Sequence, residues 1–151
     1  MLKSLMKSIV VLAGVAAAFS VMAEVAKPEV PDTFAERKFV LQISDRDPSK
    51  QVLTLNVVGN LLTYYQGEEV DIEVVAFGPG INFLKASNKN AERVKIYMDA
   101  GVRFSACEKT LNSLAAKLGE KIELQDGVTV VPAGAPRIFQ LQDAGWKLLK
   151  P

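Results

Sequence analysis

Apolar positions in this chain fall into short continuous runs separated by longer stretches of helical spacing. Lys38 to Ile43 is rich in apolar and β-branched residues, which predicts a strand. It ends at Ser44-Asp45-Arg46-Asp47-Pro48, a cluster that turns the chain and can cap a helix. From Ser49 to Gln66 the residues Val52, Leu53, Leu55, Val57, Val58, Leu61, Leu62 and Tyr65 cover a wide helical face, and Gly67 is placed to end it. A face that wide predicts burial on more than one side. Val70 to Phe77 is nearly continuous in its apolar run after Asp71 and Glu73, as in a parallel strand covered on both faces. Gly78-Pro79-Gly80 then breaks the strand, most simply as a tight turn, although glycines there also let a backbone approach a ligand or neighbouring chain closely.

The second half repeats the alternation. Asn90 to Ala100 carries Ala91, Val94, Tyr97 and Met98 at helical spacing and closes at Gly101; a strand follows at Val102. Leu111, Leu114, Ala115 and Leu118 then mark the cleanest amphipathic helix, ended by Gly119. Val128 to Val131 reads as a short strand, Pro132 to Pro136 as a turn, and Arg137 to Ala144 as a last helix with Pro136 in its first turn, ended by Gly145 before Trp146 to Leu149. Strands alternating with helices through short connections predict an α/β sandwich on a mostly parallel sheet.

The amino-terminal residues follow a different pattern. Lys3 and Lys7 precede an apolar stretch from Ile9 to Val21, and Val21-Met22-Ala23 offers small residues at a cleavage position. Residues 1–23 read as a secretory signal peptide cut after Ala23, because the stretch falls short of the roughly 20 residues a spanning helix needs. Residues 24–36, with Pro28 and Pro31 among charges, form an extended leader, and residues 37–151 form one domain. The expected location is periplasmic or secreted, with no membrane partner after cleavage.

Composition narrows the chemistry. The 18 Lys and Arg nearly balance 17 Asp and Glu, so no basic stripe invites nucleic acid. The absence of histidine removes serine-histidine and cysteine-histidine catalysis and most zinc sites. Asp45 and Asp47 read as a turn and cap, so no metal is assigned, and Gly78-Pro79-Gly80 lacks the spacing of a dinucleotide fingerprint, so no cofactor is assigned.

One cysteine remains. Cys107 ends the run Gly101-Val102-Arg103-Phe104-Ser105-Ala106-Cys107, where a strand meets a helix. The free N–H groups and positive dipole end of that helix favour a thiolate. Arg103 and Lys109 would add to the effect and Glu108 would oppose it. Cys107 is expected to be partly exposed, and it is the one candidate catalytic residue. The competing reading is a buried, inert cysteine that only packs.

The strand Val74-Val75-Ala76-Phe77-Gly78-Pro79-Gly80, then Gly101 to Cys107, then Val130-Val131-Pro132-Ala133-Gly134, then Leu141-Gln142-Asp143-Ala144-Gly145-Trp146 occur in an order and spacing that resemble the DsrE/DsrF-like sulfur-relay family, in its branch of small exported single-domain proteins. The resemblance implies a three-layer α/β/α fold on a five-stranded, largely parallel sheet, and assembly into homo-trimers or hexamers. It also implies a cysteine after the third strand that accepts sulfane sulfur as a persulfide, exchanging it with a donor or acceptor protein or a small persulfide. Cys107 falls at that place. The implied function is a periplasmic sulfur-binding or sulfur-transfer protein, sulfurtransferase-like in its chemistry. The alternatives are a non-catalytic oligomeric scaffold with a structural cysteine, and a redox sensor forming an intermolecular disulfide.

Overall fold

The computed structural model describes residues 28–66 and 69–151. The expected signal segment and its cleavage site, and Gly67 as a helix terminator, lie outside those residues. Among the described residues the chain runs β1 (Arg37–Ile43), α1 (Pro48–Tyr64), β2 (Val70–Ala76), a 3₁₀ helix (Gly78–Leu84), α2 (Ala91–Asp99), β3 (Arg103–Cys107), α3 (Glu108–Leu118), β4 (Thr129–Val131), α4 (Gly134–Asp143) and β5 (Lys147–Leu149).

The strands form one sheet in the order β4-β3-β2-β1-β5, every neighbouring pair parallel. The connections through α1, the 3₁₀ helix with α2, and α3 each step the chain one strand toward β4. The return through α4 carries it back across the sheet to β5. Right-handed crossovers therefore place α4 on the face opposite the other helices. Alternation along each strand divides the core accordingly. Leu41, Ile72, Val74, Ala76 and Phe104 pack beneath α1, α2, α3 and the 3₁₀ helix, while Val40 and Val75 meet Ile138, Leu141 and Trp146.

Local chemistry sets the element ends. The Asp47 carboxylate accepts from the Ser49 amide at 2.8 Å and from its hydroxyl at 2.8 Å, and Pro48 occupies the first helical turn of α1. The wide apolar face of α1 is covered on one side only. Leu55 and Val58 are buried, whereas Leu53 and Tyr64 are exposed. Gly78-Pro79-Gly80 is not a tight turn but the start of the 3₁₀ helix, which runs on to Leu84. A Cβ on Gly80 would lie 2.3 Å from the Ile43 carbonyl oxygen, so the close approach anticipated there is to the end of β1.

Residues Pro28 to Glu36 form neither helix nor strand. Val30 nonetheless packs against the cluster under α4, and the carbonyls of Pro28 and Glu29 accept from the Arg137 guanidinium at 3.2 and 3.1 Å.

Candidate functional site

Cys107 is the last residue of β3 and the cap of α3, with φ −72° and ψ 114°. The strand puts Arg103 and Ser105 on the α4 face, whereas Cys107, where the strand runs into α3, packs with the larger core cluster and meets amides from the starts of both α3 and α4. Gly134 opens α4, and a Cβ there would sit 2.9 Å from both Cβ and Cδ1 of Phe77. Only glycine lets the first turn of α4 press this closely on the end of β2 and present its amide to the sulfur.

The expectation of a partly exposed thiol is not met: Cys107 is 6% exposed. Placing it between two helix starts and the β2 end closes it off. That burial is the largest influence on its ionisation and pushes its pKa up. The Thr110 hydroxyl and the amides of Thr110, Gly134 and Lys109 together outweigh it, so the thiol is held below its ordinary pKa. No side-chain capping bond joins the sulfur closely to α3. The donors act as a group around it.

The charged neighbours behave differently from the sequence expectation. Arg103 lies four residues back along β3, about 13 Å away at the usual strand rise. It pairs with Asp71, stands 3.7 Å from Glu73 and covers the Trp146 ring at 5.2 Å. It is therefore committed to a separate network and does not assist the thiol. Lys109 contributes through its backbone amide, and its side chain, like that of Glu108, is exposed. Thr110 and Gly134 were not singled out by sequence reasoning. The only signals were a hydroxyl three residues past the cap and a glycine inside a proline-bounded turn.

A buried polar network missed by sequence reasoning lies along the same face. Glu73, fully buried, accepts from Ser105 Oγ at 2.8 Å and from Arg137 Nε at 2.9 Å and Nη2 at 2.8 Å. Alternate polar positions in adjacent strands, Asp71 and Glu73 against Arg103 and Ser105, were its sequence trace. A groove of about 660 Å³ that Cys107 does not line is bordered by Pro28, Lys109, Pro132, Ala133, Pro136 and Phe139. Among the described residues no group of three or more His, Cys, Asp or Glu side chains could hold a metal ion.

Chemically, the site offers a buried thiol whose ionisation is eased by donors from two helix starts. The DsrE/DsrF-like family model matches residues 37–151. Among solved structures, a protein of unknown function, MTH1491 from Methanobacterium thermoautotrophicum, is 32% identical over 77% of this chain and 100% of its own, with a TM-score of 0.70. No curated protein matches. The parallel five-stranded sheet, a family match spanning the whole domain and a structural neighbour covered along its full length agree, and the chain belongs to the DsrE/DsrF-like family.

Proposed function

We propose that this protein is an exported sulfur carrier that takes up sulfane sulfur on Cys107. The observation that carries the reading is the thiol at the end of β3 whose pKa is lowered by donors from the starts of both α3 and α4. The Cys107 thiolate attacks the outer sulfur of a donor persulfide, R–S–S⁻. One S–S bond forms as the donor's S–S bond breaks, R–S⁻ departs, and Cys107–S–S⁻ remains, with no net oxidation. An acceptor thiolate removes that sulfur by the same exchange. The chemistry needs a populated thiolate and no histidine. Adding one sulfur also extends the side chain by an S–S bond of about 2.05 Å.

Export follows from the basic and apolar start of the chain, and assembly into a homo-oligomer from the family resemblance. Among the described residues no helix is long and apolar enough to cross a membrane. The 6% exposure of Cys107 favours one competing reading, a scaffold whose cysteine only packs.

Mass spectrometry of the protein purified from the exported fraction without reductant tests the proposal. The expected denatured mass is that of a chain beginning at Glu24 plus one sulfur atom, with the sulfur absent from Cys107→Ser, and the native spectrum shows more than one subunit. A wild-type protein that neither carries nor accepts sulfur from polysulfide, and resists alkylation when native, leaves the scaffold in place.

A further inference from the structure

The hydroxyl of Thr110, in the first turn of α3, is used differently from those of the threonines within α1. Thr54 and Thr63 in α1 each donate to the carbonyl four residues back, Lys50 O at 2.8 Å and Gly59 O at 2.9 Å. That is the ordinary use of a threonine hydroxyl inside a helix. Thr110 sits in the first turn of α3, where the residue four back is Ala106 of β3 and offers no helical carbonyl. Its Oγ1 instead accepts from the Gly78 amide at 3.0 Å, a contact reaching across from the end of β2. With that oxygen occupied from the far side, its single hydrogen must point elsewhere.

Cys107 caps α3 and Thr110 is the third residue of that helix. A cap side chain and the third helical residue face one another, which is the geometry that capping exploits. We propose that Thr110 is a positioning residue for Cys107: its hydroxyl, anchored by the Gly78 amide, aims its hydrogen at the sulfur. The chain of donors runs Gly78 N–H to Thr110 O–H to Cys107 Sγ, and a hydroxyl donating to an anionic sulfur makes a charge-assisted bond stronger than one to a neutral thiol. The sulfur is thereby tied to the β2 end as well as to the two helix starts.

No nearby ion competes for this role. Glu108 and Lys109 on α3 are exposed, the 3₁₀ helix Gly78–Leu84 and the segment Pro132–Pro136 contain no charged residue, and Arg137 of α4 is held by Glu73. The inference rests on the reading of Cys107 as a sulfur-accepting thiolate, and its test separates the two.

The pH dependence of iodoacetamide alkylation is measured for the wild-type protein, Thr110→Val, Thr110→Ala and Thr110→Ser, together with sulfur loading from polysulfide at neutral pH. Losing one hydroxyl donor moves the alkylation midpoint of the valine and alanine variants up by about half to one pH unit, and slows loading roughly three- to tenfold. The serine variant returns both toward wild type. A merely structural role would not move the midpoint in this way. If the valine or alanine variant folds and its profile overlays the wild type, the positioning role is wrong even when Cys107 carries sulfur. If the midpoint shifts but wild-type protein never loads sulfur, Thr110 keeps its role and the carrier reading fails. Should both variants misfold, the wild-type protein still decides by NMR. The Gly78 amide and Thr110 hydroxyl protons must then titrate with the thiol, and proton shifts that stay flat through that range overturn the inference.

Discussion

At Cys107 two opposed effects meet on one atom. Burial favours the neutral thiol, while four donors favour the thiolate, and the donors prevail. Because the folded-state pKa lies below that of the unfolded chain, thiolate stabilisation adds to folding stability. The contribution is complete above the unfolded thiol's pKa and disappears as pH falls through the folded one. The stability difference between wild type and Cys107→Ser should therefore grow in favour of wild type as pH rises across that window. Urea unfolding under reductant at several pH values, followed by the fluorescence of the single tryptophan, Trp146, measures it. A difference independent of pH would sink the assignment of a lowered pKa.

Among elements, the start of α4 has little tolerance for change. Alanine ordinarily stabilises a helix over glycine by roughly 0.5–1 kcal/mol. At Gly134 the added methyl meets Phe77 at 2.9 Å, and overpacking of this kind costs about 1–3 kcal/mol. Gly134→Ala should therefore be destabilising, reversing the usual sign, and should raise the alkylation midpoint by drawing the Gly134 amide away from the sulfur. Thermal unfolding and the alkylation profile together check this; a more stable variant would show that the contact is loose. The elements themselves were largely legible. Asp47 and Pro48 announced α1, Gly119 the end of α3, and the apolar runs the first four strands, because these signals act within a few residues; the three-residue β5 was too short to read as a strand. The continuation of Gly78-Pro79-Gly80 into a 3₁₀ helix was not legible, since turn-forming residues serve either conformation and the packing of Gly80 on Ile43 decides. The site was half legible. Cys107 and its helix start lie together in sequence, whereas Gly134 reaches the sulfur only because α4 folds back across the sheet.

Over the whole molecule, the sheet face under α4 is held by ions as much as by apolar packing. Glu73 and Arg137 are both buried, and Arg137 also joins Gln140 at 2.9 Å and the leader carbonyls. Sequence reading treats charges as solvated, so this centre stayed hidden until the strands were paired. Arg137→Met leaves a carboxylate without its main partner and should cost about 3–5 kcal/mol. Replacing both members, Glu73→Leu with Arg137→Met, should recover part of that loss. Denaturation midpoints of the single and double variants decide, and equal losses in both would mean the ion pair is not what holds α4 down.

The tether between Arg137 and Pro28 also has a practical consequence for handling the protein. Pro28 borders the same groove as Lys109 and Pro132, so anything fused ahead of it, such as an affinity tag or fluorescent partner, is delivered to that groove at the starts of α3 and α4. The carboxyl end leaves from β5, three strands from β3 and so about 14 Å across the sheet. Labels and surface attachments belong at that end, where they leave the groove clear.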